Sequence, residues 1–296
     1  MSVKKALKAV RAYRPLNSLV ASGLKGLMNA TGQQSEFIIK HLPRTGIIKV
    51  SLPNGQTLRL DTNGEDWIPT QLFWRGWDGY EPEITSLYYR LAEEARAAIL
   101  DVGAHIGFFS LLGALANPKA QVYSFEPLDR VYERLELNIA LNRLGNIRCF
   151  RAAVGETEGV QEFYFLDGDA PVASSLRNDM LLAHNPSESV RHVPVPVVTL
   201  DQTVEQHGIA EVSLIKLDTE RTEHNVLAGC RRTLARDKPD IICEVWPDAG
   251  NQQQLEALLG PLGYRFYHVT ASGPVERQEI KGDSELLSYL FSVRQM

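Results

Sequence analysis

Three groups of residues in this chain have the types and spacing to do chemistry. Asp101 lies in Ile99-Leu-Asp-Val102, a short apolar run rich in β-branched residues that ends at Gly103. Glu126 closes a second such run, Gln121 to Phe125, and precedes Pro127. A third apolar run, Val212 to Leu217, ends in Lys216-Leu-Asp218-Thr-Glu220. Each reads as a buried strand. Strand carboxyl ends surround the ligand crevice in open α/β sheets, so all these acids are candidate site residues.

The turn between the first two acids narrows the ligand. Gly103 breaks the first strand, and Gly107 opens an apolar run to Ala116 of helical length and spacing. A dinucleotide turn needs glycine where this chain has His105, so that the backbone can approach a pyrophosphate. A P-loop needs Gly-Lys-Ser/Thr, which is absent here. An acid at a strand end suits an ammonium group better than a phosphate. Glu126 follows Asp101 by 25 positions, near the ~20-residue offset at which an acid accepts from ribose hydroxyls. A carboxylate matches a vicinal diol. S-adenosylmethionine, with an ammonium, a ribose and no phosphate, satisfies both acids. The plain alternatives are an ordinary glycine-containing turn and a solvent-facing Glu126.

Methyl transfer from a sulfonium is an in-line displacement governed by positioning. A hydroxyl acceptor is a poor nucleophile and gains from a general base. Asp218, Glu220 and His224 are the candidates. Glu220 and His224, four apart, would share one face of a helix. Histidine is the residue type suited to proton transfer near neutrality, while Asp218 is favoured by its strand-end position; a plain surface histidine is the alternative for His224. Asp218, Glu220, His224 and Glu244 could converge on a metal, but carboxylates crowd many sites without one, and no metal is expected.

An ordered series now stands out: Ile99 to Ser110, then Ser-Phe-Glu126-Pro, Leu-Glu-Leu-Asn138, Ala-Ala-Val-Gly155, Val-Thr-Leu-Asp201 and Ile-Lys-Leu-Asp218-Thr-Glu220. It resembles the FkbM family of S-adenosylmethionine-dependent methyltransferases across about half the chain, Ile99 to Glu244. The resemblance implies a class I methyltransferase, a Rossmann-like α/β fold with a seven-stranded, mostly parallel sheet. It implies O-methylation of a sugar, glycolipid or secondary-metabolite hydroxyl. It places adenine near Ala153 and Val154, beside the cofactor grip of Asp101, Gly103, His105, Gly107 and Glu126. The chain departs from the family twice, with His105 where Asn is usual and Arg221 where Gly is usual.

The surrounding elements follow from pattern. Strands alternate with helices, which predicts a parallel sheet: strands Ile99 to Val102, Gln121 to Phe125, Ile147 to Val154, Val212 to Leu217 and Asp240 to Val245. An antiparallel pair, Tyr264 to Val269 and Ser288 to Val293, completes it. The alternation breaks over residues 156–200, read as an acceptor-side insertion holding strand-like Val160 to Phe165 and Val193 to Leu200; disorder of 167–190 is the plain alternative. Residues 1–80 form an extension before a methyltransferase domain at 81–296. It holds two basic helices, Val3 to Val10 and about Ser18 to Met28. A hairpin follows at Asn54-Gly55, then an aromatic segment, Trp67 to Tyr80, that is either an acceptor platform or a packing plug.

Composition bounds the rest. The 296 residues are 44% hydrophobic and 23% charged, which suits one large globular domain with an appendage. Net charge is −5, yet residues 1–35 carry six Lys/Arg and no acid, so the remainder is −11. That remainder disfavours nucleic acid. Cys149, Cys230 and Cys243 lack metal-site spacing and fit a reducing, cytoplasmic setting. No run of 18 apolar residues exists. Residues 1–28 read either as a peripheral membrane contact or, more plainly, as a packed arm or homo-oligomer contact. A non-catalytic or membrane-recruited binding module and a nicotinamide-dependent oxidoreductase are the rival readings, the latter opposed by His105.

Overall fold

A computed structural model describes residues 13–64, 66–166, 174–177, 190–283 and 286–296. The chain divides into two compact units, residues 1–82 with 140–142, and 83–139 with 143–296.

The first unit contains α1 (Arg14–Thr31), α2 (Glu36–His41), the hairpin strands β1 (Gly46–Ser51) and β2 (Thr57–Thr62), and α3 (Trp67–Arg75). Helix α1 starts earlier than its hydrophobic pattern suggests. Pro15 sits in its first turn, where a missing N–H costs no hydrogen bond, and Gly32 closes it at φ +67°. The first basic helix expected from sequence lies outside the described residues. The hairpin forms around Asn54-Gly55, with Ile48, Val50, Leu58 and Leu60 buried on one face. Phe73 and Trp74 of the aromatic segment are buried within this unit, whereas Trp67 is exposed.

The second unit begins with α4 (Pro82–Glu94) and continues through β3 (Ala98–Val102), α5 (Phe108–Ala116), β4 (Val122–Phe125), α6 (Asp129–Asn142) and β5 (Ile147–Phe150). An insertion follows: β6 (Ala153–Val154), β7 (Gly159–Leu166), β8 (Ser174–Ser175) and β9 (Val190–Val198). The chain then returns through α7 (Leu200–Gln206), β10 (Val212–Leu217), α8 (Glu223–Ala228), α9 (Arg231–Asp237), β11 (Asp240–Glu244), α10 (Ala249–Leu259), β12 (Arg265–Thr270), β13 (Gly273–Arg277) and β14 (Ser288–Ser292).

The main sheet runs in the order β13-β12-β14-β11-β10-β3-β4-β5. Strands β5, β4, β3, β10 and β11 are mutually parallel, and β14, β12 and β13 are antiparallel additions. From β3 the chain steps outward to β4 and β5, then crosses back to β10 on the other side. The reversal between β3 and β10 is the topological switch point at which such sheets bind ligands. The sheet has eight strands rather than seven. The extra strand, β13, carries Pro274, Glu276 and Arg277 at an edge, and such residues give no apolar alternation to read.

The expected third strand, Ile147 to Val154, is divided: β5 stays in the main sheet, while β6 joins a second sheet, β6-β9-β7-β8. Pro194 and Pro196 lie in β9, which β6 pairs only at Val197 and Val198. The prolines therefore occupy a stretch where one edge needs no donors. Segments 167–173 and 178–189 of the insertion lie outside the described residues.

Candidate active site

The turn after β3 is left-handed at Gly103 (φ +81°), His105 (φ +51°) and Gly107 (φ +90°). The N–H groups of Gly103 and Ala104 both donate to the Phe125 carbonyl, at 3.1 and 2.9 Å, which draws the turn onto the end of β4. A Cβ at Gly103 would fall 1.9 Å from the Asp218 carbonyl oxygen, and one at Gly107 2.4 Å from Leu135 Cδ1. At Gly103 contact and conformation both demand glycine; at Gly107 the conformation does, since the end of the Leu135 side chain can move. His105 replaces an asparagine of the resembling family at a left-handed position, which Asn and His adopt more readily than most residues.

Glu126, 5% exposed, joins this turn to the next helix. Its Oε2 accepts the His105 N–H at 3.1 Å, and its Oε1 accepts the Leu128 N–H at 2.9 Å. Burial raises it to about 7. Each oxygen retains a second lone pair, so the carboxylate can still accept from a diol. Asp101 is 1% exposed and lies beneath the turn. Its Oδ2 accepts from the Ser110 hydroxyl at 2.5 Å, and Ser124 donates to Ser110 at 2.7 Å. Burial lifts Asp101 to about 6, against the pull of Ser110 and Lys216. The residue read as a partner for an ammonium group thus has one carboxylate oxygen taken by the Ser110 hydroxyl in the structure. Ala153 packs with Ile106 and Leu128 beside the turn, while Val154 belongs to the larger core.

The third acidic group forms around a buried lysine. Lys216, 2% exposed, is Asp101's neighbour in the β3–β10 register. Its Nζ lies 3.4 Å from Asp218 Oδ2 and 5.0 Å from the centre of the Phe109 ring. The Asp218 N–H donates to Val102 at 3.0 Å, which sets this residue against Gly103. The chain then turns through Glu220 (φ +53°) and Arg221 (φ +74°).

That turn corrects one expectation. Glu220 and His224 do not share a helical face, because Glu220 and Arg221 are both left-handed and α8 starts only at Glu223. Glu223 folds back instead and accepts the N–H groups of Thr219 at 3.2 Å and Arg221 at 3.0 Å. His224 Nδ1 is 2.8 Å from Asn251 Oδ1 on α10. Glu220 rises to about 8, through burial first and repulsion from Asp218 and Glu223 second. Glu244 is pushed up mainly by burial and accepts from Trp246 Nε1 at 3.1 Å. The Arg221 guanidinium lies 4.8 Å from the centre of the Trp246 ring. Among the described residues, no group of His, Cys, Asp and Glu could hold a metal.

The insertion reaches this turn. The Ser175 hydroxyl donates to the Glu220 carbonyl at 2.9 Å, and the Arg177 N–H donates to Ser175 Oγ at 3.2 Å. Asp201, part of the family-like series, is a fastener: its carboxylate accepts the N–H groups of Arg232 and Thr233, each at 2.9 Å, and so ties α7 to the start of α9. Sequence reasoning passed over Lys216, Ser110, Glu223 and Ser175 as site residues. Lys216 had a readable signal, a lone charge within an apolar strand; the others depend on tertiary placement.

Acids at the ends of β3, β4 and β10, a left-handed glycine turn at the switch point and this strand order define a class I, S-adenosylmethionine-dependent methyltransferase. The Methyltransferase FkbM domain model matches residues 101–268, and the chain belongs to that family. It is 28% identical over 248 residues to the 31-O-demethyl-FK506 methyltransferase FkbM of Streptomyces tacrolimicus, covering 76% of this chain and 90% of the relative. It is 28% identical over 155 residues to the 2-O-methyltransferase NoeI of Sinorhizobium fredii, covering 50% and 63%. A crystal structure of an FkbM methyltransferase from Methylobacillus flagellatus aligns with a TM-score of 0.43 and 16% identity, over 67% of this chain and 44% of that one.

Proposed function

We propose that the enzyme methylates a hydroxyl oxygen of a small sugar, glycolipid or secondary metabolite, with Asp218 as the base. The observation that carries this reading is the Lys216–Asp218 pair, which sets a carboxylate beside a buried cation next to the glycine turn. The names of two relatives support oxygen as the acceptor atom. Glu126 would take the ribose hydroxyls, and the 103–107 turn would enclose the methionine end above Asp101. When bound, S-adenosylmethionine supplies an electrophilic methyl whose sulfur departs with the C–S electron pair. Asp218 accepts the hydroxyl proton as the oxygen–carbon bond forms, a role worth ~10²–10⁴-fold in rate. A carboxyl that titrates near 8 is largely protonated at neutral pH, so Glu220 is not the base there. Described residues of the insertion touch the Glu220 turn, which favours acceptor recognition by that segment.

Calorimetry with S-adenosylhomocysteine tests the cofactor half. The expected result is one site per chain, with affinity reduced at least about tenfold in Glu126→Ala, in line with a lost charge-assisted pair of hydrogen bonds. Mass spectrometry of acceptors labelled by an isotopic methyl donor tests the other half. Label on nitrogen or carbon, with none on oxygen, overturns the O-methylation reading.

A further inference from the structure

The first unit concentrates exposed apolar side chains that its own core does not use. Helix α1 is fixed by one face. Asn17, fully buried, donates to the Pro43 carbonyl at 2.9 Å and accepts the Thr45 N–H at 2.8 Å. Ala21 and Met28 are buried on the same side. The opposite face carries Leu16, Leu19 and Leu27, at 41%, 73% and 59% exposure, with Tyr13 exposed just before the helix. Their spacing, with Val20 and Gly23 between, traces one stripe along the helix. Nothing lies within 4 Å of where a Gly23 Cβ would stand. Phe37 and Trp67 of the same unit are also exposed.

Charge selects the occupant. Residues 1–82 contain eleven Lys/Arg against six Asp/Glu, a net +5, whereas the whole chain is −5. Lys4, Lys5, Lys8 and Arg11 lie just upstream of α1, and no acid occurs before Glu36. A second copy would bring a like charge to the stripe. An anionic bilayer surface brings the opposite charge and also accepts leucine and aromatic side chains at the headgroup boundary.

From the exposed leucine stripe of α1 and the acid-free basic segment around it, we propose that the first unit docks peripherally on anionic membrane surfaces. No described helix is long and apolar enough to cross a membrane, so the contact lies in the interface plane. One short amphipathic helix binds weakly alone, and the basic segment supplies the second signal that stable attachment requires. This inference does not depend on the methyl acceptor.

The test is flotation of the full chain with vesicles of phosphatidylcholine alone and with about one third phosphatidylserine. Binding is expected only to the anionic vesicles and should weaken as salt rises. Leu16→Glu/Leu19→Glu/Leu27→Glu and, separately, Lys4→Glu/Lys5→Glu/Lys8→Glu should each lower the partition coefficient at least about tenfold. All six positions are substituted without touching the acids at the strand ends, and an unchanged thermal melt and S-adenosylhomocysteine affinity confirm an intact fold. A leucine variant that floats like the parent overturns the proposal. So does a parent chain that binds neither vesicle, including the case in which light scattering shows a dimer that the leucine variant dissociates.

Discussion

The left-handed non-glycine residues at the site, His105, Glu220 and Arg221, show how single positions carry both strain and selectivity. Arg221 holds φ +74° where its family usually has glycine, a conformation that costs an ordinary side chain on the order of 1 kcal/mol. Its N–H bond to Glu223 and its guanidinium over Trp246 offset that cost. Arg221→Gly should therefore change the melting temperature little while altering acceptor KM, which steady-state kinetics against a panel of hydroxyl acceptors would register. The acids make a sharper pair. Glu220→Gln mimics the protonated group and should alter kcat at pH 7 by less than about threefold, because a carboxyl near 8 is already neutral there. Asp218→Asn removes the base and should cost ~10²–10⁴-fold in kcat with S-adenosylhomocysteine binding retained. Equal losses in both variants would refute the division of labour. Asp101 and Glu126 could be picked out by their strand-end positions, but not the direction of their side chains. Ser110, which turns Asp101 inward, looks like any polar residue in an apolar helix.

At the scale of elements, periodicity located most of the second unit. Every parallel strand of the main sheet appears within a few residues of its expected place, because buried strands read as continuous apolar runs. The misreadings have local causes. Helix α1 begins at Arg14 rather than near Ser18, because Pro15 is tolerated in a first turn. The run Ile147 to Val154 looked continuous, although its last two residues pair with β9. Position 201 offers a test of an element joint. Asp201 accepts two N–H groups at the start of α9 and the Thr233 hydroxyl at 2.8 Å. Asp201→Ala should lower stability by about 1–3 kcal/mol, since it strips a helix terminus of its acceptor. Urea denaturation would give that figure, and S-adenosylhomocysteine affinity below the transition should stay unchanged.

For the molecule as a whole, the buried acids give stability an inverted pH dependence. Asp101 near 6, Glu126 near 7 and Glu220 near 8 all lie above their ordinary values. Between about pH 5 and 8 the folded chain holds protons that the unfolded chain has already released, so these groups make stability fall as pH rises. The ligand-free enzyme should melt at a lower temperature at pH 8.5 than at pH 6, and Glu220→Gln should remove part of that slope. Affinity for S-adenosylhomocysteine should move the other way and strengthen from pH 6 to 8 as Glu126 ionises; a flat profile would exclude Glu126 from the diol contact. None of this was visible in the net charge of −5, because it depends on burial at one end of one sheet.

Strand β14 sits between β11 and β12, although it follows both of them, and β13, along the chain. During synthesis the β12–β13 hairpin must wait without a neighbour, and β11 keeps a bare edge, until residues 288–292 have left the ribosome. A chain stopped at residue 287 would keep both edges open and should precipitate rather than persist as a shorter enzyme.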